Sequence, residues 1–494
     1  MKRILIFLIP LIVLTFWTCK QSTKEQIQFE PNWESLEQYQ VPEWFRDAKF
    51  GIYTHWGAYS VPRYENEWYP RLLYMKDDEG RGKEFYEFHK KTYGDPSVFG
   101  YKDLIPLFTA DKFNAEEWAD LFEKSGARFA GPVAEHHDGF AMWDSKLTPW
   151  NAKNMGPKRD IVGELAEAVR AKGMRFVTSF HHAFHWKYYE PSYLLENPDT
   201  KHPEFCGVDK IYPPLHDPGD PASEEFLQMW LDKIKEVVDN YQPDYLWFDF
   251  GWVDPEFEPY KQEFLAYYYN QAIKWKKEVV VTYKHDHLPP GVAVLDLERG
   301  KLDTLSSEPW ITDTSVDFKS WSYIDKPLYK PINMLVDNLV DRVSKNGNLL
   351  LNIGPHPDGS IPEEQRELLL GIGSWLQVNG EAIYESRPWK IFGEGPTKQT
   401  GGYFSEEKDD SYTANDIRFT TKENAFYIIA LDWPEEGKVF AESLDYNENI
   451  GEIKKISMLG SKEEIGWTRD ELGLTLYFPE EKPCEHAFVF KLEL

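Results

Sequence analysis

Asp160-Ile-Val-Gly-Glu-Leu-Ala-Glu-Ala-Val-Arg-Ala171, then Lys172-Gly173, then Met174-Arg-Phe-Val-Thr-Ser-Phe180, then His181-His182: this stretch decides the fold. Ile161, Leu165, Ala168 and Val169 recur at the spacing of one helix face. Gly173 follows as a helix C-cap. Residues 174–180 read as a strand, and two polar side chains stand where it ends.

The same unit recurs on both sides. Upstream, residues 50–56 and 128–134 read as strands around a helix at 114–124, whose Trp118, Leu121 and Phe122 share a face. Downstream, Ser223 starts a helix carrying Phe226, Trp230, Ile234 and Val237/Val238, and residues 244–250 are the next strand. A helix at 257–276 and strands at 279–283 and 292–297 follow. Ile332, Leu335, Val336, Leu339, Val340 and Val343 mark another helix, residues 348–353 a strand, and 363–378 the last helix. Such alternation predicts a parallel sheet wound with helices. Its length, and the lack of a Gly-rich phosphate loop, favour an α/β fold of the (β/α)8-like TIM barrel type over residues 31–390.

After about residue 390 the texture changes. Gly393, Gly395, Pro396, Gly401 and Gly402 read as a loose linker. Short alternating runs at 416–421, 425–430, 474–478 and 487–492 predict a C-terminal antiparallel β-sandwich over 391–494.

The 494-residue chain carries 83 Asp and Glu against 55 Lys and Arg, a net charge of −28. Such a surface repels phosphate backbones, which argues against nucleic acid and for a neutral substrate. Nineteen Trp, 28 Tyr and 31 Phe supply a large core or a site for flat-faced ligands such as sugars. Of the cysteines Cys19, Cys206 and Cys484, none forms a CxxC pair, so a zinc ribbon or disulfide scaffold is excluded. Residues 1–19 place Lys2 and Arg3 before an apolar run from Ile4 to Trp17 and end at Cys19; residues 20–30 are a polar tether. The segment resembles a bacterial lipoprotein signal, with Cys19 as the lipidated first residue of the mature chain. It predicts an exported protein, periplasmic or anchored to the outer membrane through that lipid, or secreted outright. Oligomeric state is not readable.

In a barrel, chemistry sits at the C-terminal ends of the strands. The polar residues there are His55-Trp56, Glu135-His136-His137-Asp138, His181-His182, Asp249, Lys284-His285-Asp286-His287, Asp296 and Glu298. Asp249 stands among Leu246, Trp247, Phe248, Phe250 and Trp252, where a carboxylate is expensive to bury unless it is paired or used. Two facing carboxylates can split a glycosidic bond, and Glu298 and Glu308 are the candidates for the second. His136/His137, His181/His182/His185 and His285/His287 invite a metal reading, but no HExxH spacing occurs. Adjacent strand-end histidines should also point to opposite sides, so no metal or other cofactor is expected. Neither a GxSxG elbow nor a P-loop occurs, which sets aside serine hydrolases and P-loop NTPases.

Several ordered motifs resemble family 29 glycoside hydrolases, the α-L-fucosidases. They are Lys49-Phe-Gly-Ile-Tyr-Thr-His-Trp-Gly57, Tyr59-Ser-Val-Pro62, Glu67-Trp-Tyr69, His136-His-Asp-Gly-Phe140 and Trp247-Phe-Asp249. Pro309-Trp-Ile-Thr-Asp-Thr-Ser315, Asn346-Gly-Asn-Leu-Leu-Leu-Asn-Ile-Gly-Pro355 and Asn379-Gly-Glu-Ala-Ile-Tyr384 continue the match. The resemblance implies a barrel backed by a β-sandwich and a retaining exo-α-L-fucosidase acting on fucosylated oligosaccharides or glycoconjugates. Asp249 would be the nucleophile, and His55, Glu67, Trp68, His136, His137, His181 and Trp247 would line the fucose pocket. Some members carry a Glu directly after the Trp of the Pro-Trp motif; here Ile311 stands there. The acid/base role therefore goes to Glu298, with Glu308 as alternative. Lys284 stands near where many members carry an arginine that contacts the sugar, so a point charge replaces a planar fork. The rival readings are a same-fold hydrolase for a related sugar such as galactose, and a non-catalytic carbohydrate-binding lipoprotein.

Overall fold

The computed structural model describes residues 28–406 and 411–494. The export signal at 1–19 and Cys19 lie outside the described residues. No helix among the described residues is long and apolar enough to cross a membrane.

Eight parallel strands close into a barrel in chain order: β1 Phe50–Thr54, β2 Phe129–Glu135, β3 Arg175–Phe180, β4 Tyr245–Phe248, β5 Val280–Lys284, β6 Val294–Asp296, β7 Trp310–Ser315 and β8 Gly347–Ile353. Helices cover the outside, so β1, β2, β4, β5, β7 and β8 are buried along their whole length. The connecting helices start where their capping side chains dictate. Asn114 accepts from the amides of Glu116 and Glu117, Asp160 from that of Gly163, and Ser223 from that of Phe226. Inside the barrel, Tyr53, Phe129, Val177, Tyr245, Val280, Ile311 and Leu350 fill the interior, and Phe45 closes the N-terminal end against Phe129 and Tyr245. The apolar filling leaves polar side chains to the opposite end.

β7 departs from the sequence reading. It is not among the strands legible in hydrophobic spacing, because Thr312, Asp313, Thr314 and Ser315 make no apolar run. Pro309 stands one residue before the strand, and pairing with β8 from Trp310↔Gly347 to Ser315↔Asn352 holds it in place.

The C-terminal part holds a five-stranded and a three-stranded antiparallel sheet. They enclose Ile417, Phe419, Ile428, Leu474, Leu476 and Phe490. Its first strand, Arg387–Glu394, pairs with Ile417–Lys422. The second sheet system thus begins ahead of residue 391, and Gly393 is a strand residue. Nor is the glycine-rich segment loose: the Gly402 amide donates to the Lys301 carbonyl at 2.8 Å, on the barrel's polar end. A buried pair, Arg418 Nε to Asp341 Oδ1 at 2.8 Å, ties the two parts together.

Candidate active site

Each key side chain sits at, or just beyond, the end of its strand, and the ladder fixes its backbone. The amide of His55 donates to Ile353, that of His181 to Glu135 and that of Asp249 to Phe180. Trp252 Nε1 donates to the Asp249 carbonyl at 2.7 Å, so Asp249 is held from both sides. The chain then turns at Gly251, φ 104°, where a Cβ would lie 2.7 Å from the Phe184 nitrogen. Only glycine passes there without strain.

These strand ends surround a small cavity lined among others by His55, Glu67, Trp68, His136, His137, His181, Trp247, Asp249, Lys284 and Glu298. All the residues expected at the site thus meet, except the alternative acid. Glu308 is exposed before β7, beside Tyr39 and Arg46 at the other end of the barrel. Pro309 precedes the strand rather than its exit, which puts Glu308 on the wrong face. His136 and His137 both face the cavity, contrary to strand alternation, because β2 ends at Glu135 and the chain turns there. His182 does point away, its Nε2 3.2 Å from the Trp230 carbonyl. His55, His136 and His181, and separately His137, His181 and Asp249, bring ligand atoms within 4.8 Å of one another, and these are the residues that could hold a cation.

Asp249 Oδ2 lies 2.9 Å from His181 Nδ1 and 3.3 Å from His137 Nε2, and Oδ1 lies 3.0 Å from Lys284 Nζ. The same ammonium is 2.6 Å from Glu298 Oε2 and 3.9 Å from Asp313 Oδ2, and it lies over the Trp247 ring at 4.6 Å. The facing oxygens of Asp249 and Glu298 can be no farther apart than the two Lys284 contacts laid end to end. That bound fits the ~5–5.5 Å of a retaining carboxyl pair and falls short of the ~6.5–9.5 Å of an inverting one.

Electrostatics separate the two acids. Burial alone would raise the Asp249 carboxyl, but the Lys284 ammonium and the bonds from His137 and His181 outweigh it and hold the group well below the carboxylate range. Burial, reinforced by the charges of Asp313 and Asp249, pushes Glu298 up to about 7 against the pull of Lys284. One acid is ionised and the other holds a proton below neutrality, the division of labour that acid–nucleophile chemistry requires. Burial lowers Lys284, yet Asp249, Asp313, Glu298 and Asp296 raise it further, so its charge stays in place.

His55, His136 and His181 are neutral near pH 7. Burial takes His181 down to about 4 and His55 and His136 well below the usual imidazole range. The Asn352 amide oxygen accepts from His55 Nδ1 at 2.9 Å, leaving Nε2 as an acceptor. His181 Nε2 and His136 Nδ1 are buried without a partner among the described residues. Unpaired buried nitrogens of this kind are what a ligand's hydroxyls would satisfy. Glu67 accepts from the Trp321 amide at 3.0 Å, and the Arg299 guanidinium lies over the Trp321 ring at 4.7 Å.

Four lining residues escaped the sequence reading as site members: Tyr53, Phe250, Asp313 and Trp321. Asp313 is buried, accepts from the Tyr53 hydroxyl at 2.9 Å and contributes to the charge around Lys284. The signal for it was an acid in the middle of the Pro309–Ser315 motif. Trp321 sits on a loop with no periodicity to place it.

Comparison with known proteins adds an independent line. A family model described as Alpha-L-fucosidase matches residues 16–381, and one described as Alpha-L-fucosidase C-terminal domain matches 408–493. Tissue alpha-L-fucosidase of Rattus norvegicus is 34% identical over 476 residues, covering 94% of this chain and 92% of that protein. Plasma alpha-L-fucosidase of Homo sapiens is 33% identical over 482 residues, covering 94% and 92%. The solved structure of Thermotoga maritima alpha-fucosidase in complex with fucose superposes with a TM-score of 0.74 at 31% identity, covering 94% of this chain and 100% of that one.

Proposed function

The chain belongs to the α-L-fucosidase family, and from that premise we propose that it is an exo-acting, retaining α-L-fucosidase removing terminal α-L-fucose from glycans. The observation that carries the reading is the pair of unlike carboxyls, Asp249 and Glu298, bridged by Lys284 in one buried pocket. The polar groups converge on one small pocket at the barrel end, which supports recognition of a single terminal ring. The aromatic wall of Trp68 and Phe250, ring centroids 6.1 Å apart and nearly parallel, suits the methyl group of a deoxy sugar.

Asp249 attacks the anomeric carbon as the bond to the leaving oxygen breaks, and Glu298 gives its proton to that oxygen. A fucosyl–Asp249 ester results. Glu298, now a carboxylate, takes a proton from water, whose oxygen attacks the same carbon and releases Asp249. Lys284 stays charged throughout and steadies the Asp249 carboxylate. The unpaired nitrogens of His136 and His181 and the free face of His55 receive fucose hydroxyls.

The test follows the first-formed product of an activated α-L-fucoside by proton NMR. Initial α-fucose supports the proposal; initial β-fucose, or turnover of galactosides but not fucosides, overturns it. We further propose export with lipid attachment at Cys19, supported by the Lys2-Arg3, apolar-run and cysteine order of residues 1–19. Radiolabelled palmitate should enter the wild type and not Cys19→Ser; equal labelling of both contradicts the anchor.

A further inference from the structure

Three non-glycine residues next to the pocket residues Lys284 and Glu298 hold left-handed backbone: His285 at φ 51°, Arg299 at φ 43° and Phe404 at φ 52°. For a bulky ring such as Phe404 this is an outlier, kept only where the surroundings over-determine it. All three surround one acid. His285 follows Lys284, Arg299 follows Glu298, and the Phe404 amide donates to the Glu298 carbonyl at 2.9 Å.

Residues 402–406, from the C-terminal part of the chain, form a strap over the acid-bearing loop. At one end the Gly402 amide donates to the Lys301 carbonyl at 2.8 Å. At the other the Glu406 amide donates to Arg299, and its buried carboxylate accepts from Lys330 Nζ, Thr314 and Asn338 at 2.5, 2.7 and 2.6 Å. Between the anchors, the Tyr403 hydroxyl accepts from the His285 amide at 2.5 Å, and its ring lies 4.0 Å from that imidazole. Phe404 is 61% exposed and stacks on no other ring among the described residues. A firmly anchored segment thus holds a strained conformation that leaves an aromatic ring open to solvent, next to the proton donor.

We propose that Phe404, next to the Tyr403–His285 pair, forms the leaving-group subsite and takes the apolar face of a pyranose. The inference rests on Glu298 as the acid. In a double displacement the leaving oxygen lies on the acid's side of the ring, opposite the nucleophile. An exo-acting enzyme takes only the terminal ring into the pocket, so the leaving sugar lies outside it, on the side of Glu298, where the strap runs. An aromatic face there meets the C–H face of a sugar.

The experiment compares wild type, Phe404→Ala and Phe404→Trp on α-L-fucosyl fluoride and on a fucosylated disaccharide. Fluoride fills no subsite and needs little acid help; the disaccharide requires both. Phe404→Ala should lower kcat/KM for the disaccharide about tenfold more than for the fluoride, the size of one aromatic contact, and Phe404→Trp should restore the ratio. Phe404→Gly, which relieves the backbone strain while removing the ring, should repeat the result if the Ala variant folds poorly. Equal losses on both substrates would make the strap purely structural and overturn the subsite; so would an unchanged disaccharide rate. A wild type inactive on fucosyl fluoride would instead overturn the fucosidase reading, and the subsite with it.

Discussion

Lys284 Nζ lies 2.6 Å from Glu298 Oε2, and this contact governs where the site keeps its protons. The ammonium lowers Glu298 against burial and neighbouring charge, and it is the chief charge lowering Asp249. Lys284→Gln should let both carboxyls rise, moving the whole pH profile of kcat/KM to higher pH. At pH 5 part of Asp249 would then be protonated, so the loss of activity relative to wild type should be larger at pH 5 than at pH 7. A variant with lower activity but an unmoved profile would show that Lys284 serves only to bind.

In the wild type, the alkaline limb of kcat/KM should fall near pH 7, where Glu298, pushed up to about 7, loses its proton. Glu298→Ala should remove that limb. It should also slow natural fucosides by about 10²–10⁴-fold while sparing aryl fucosides with good leaving groups, because acid help matters most when the leaving group is poor. Glu308→Ala, at the far end of the barrel, should match wild type on both. Reversed results for the two variants would move the acid role away from Glu298.

Glu406→Gln should destabilise the fold by about 3–5 kcal/mol, since it leaves Lys330 buried without its charge partner. Glu406 is held down at about 2 against burial by Lys330 and Arg342. A depressed carboxyl contributes stability above its unfolded value and loses it as pH falls toward the folded one. The gap between wild type and variant in denaturant melts should therefore be full at pH 6 and shrink from about pH 4.5 downward. A pH-independent gap would contradict the ion pair as its source.

Gly251→Ala should cost about 1–3 kcal/mol, because an alanine there has both positive φ and a backbone atom of Phe184 in its way. The turn also carries Asp249, so kcat should drop by more than KM changes. Wild-type kcat in a folded variant would mean that the turn does not position the nucleophile.

Much of this architecture is readable from hydrophobic spacing. Helix starts at Asn114, Asp160 and Ser223 announce themselves by capping chemistry, and β3 by an apolar run ended by His181. β7 is not readable that way, because its polar residues line the barrel top instead of the core; only pairing with β8 makes it a strand. The site divides likewise. Asp249 stands out as an acid among aromatics, and Glu298 follows from the end of β6. Asp313 hides within an unread strand, and Trp321 in a loop positioned by Glu67 and Arg299. The glycines at 393–402 suggested a linker, but composition cannot reveal that the segment runs back across the barrel top to meet Glu298.

The central claim is a fucosyl ester on Asp249, and trapping that ester tests it most directly. The protein would be incubated with 2-deoxy-2-fluoro-α-L-fucosyl fluoride, whose fluorine slows turnover of the ester, then digested and read by mass spectrometry. The account predicts one fluorofucosyl adduct per chain, on the peptide containing Tyr245–Trp252 and at Asp249 within it. An adduct on another residue, or hydrolysis with no adduct and an inverted first product, would contradict it.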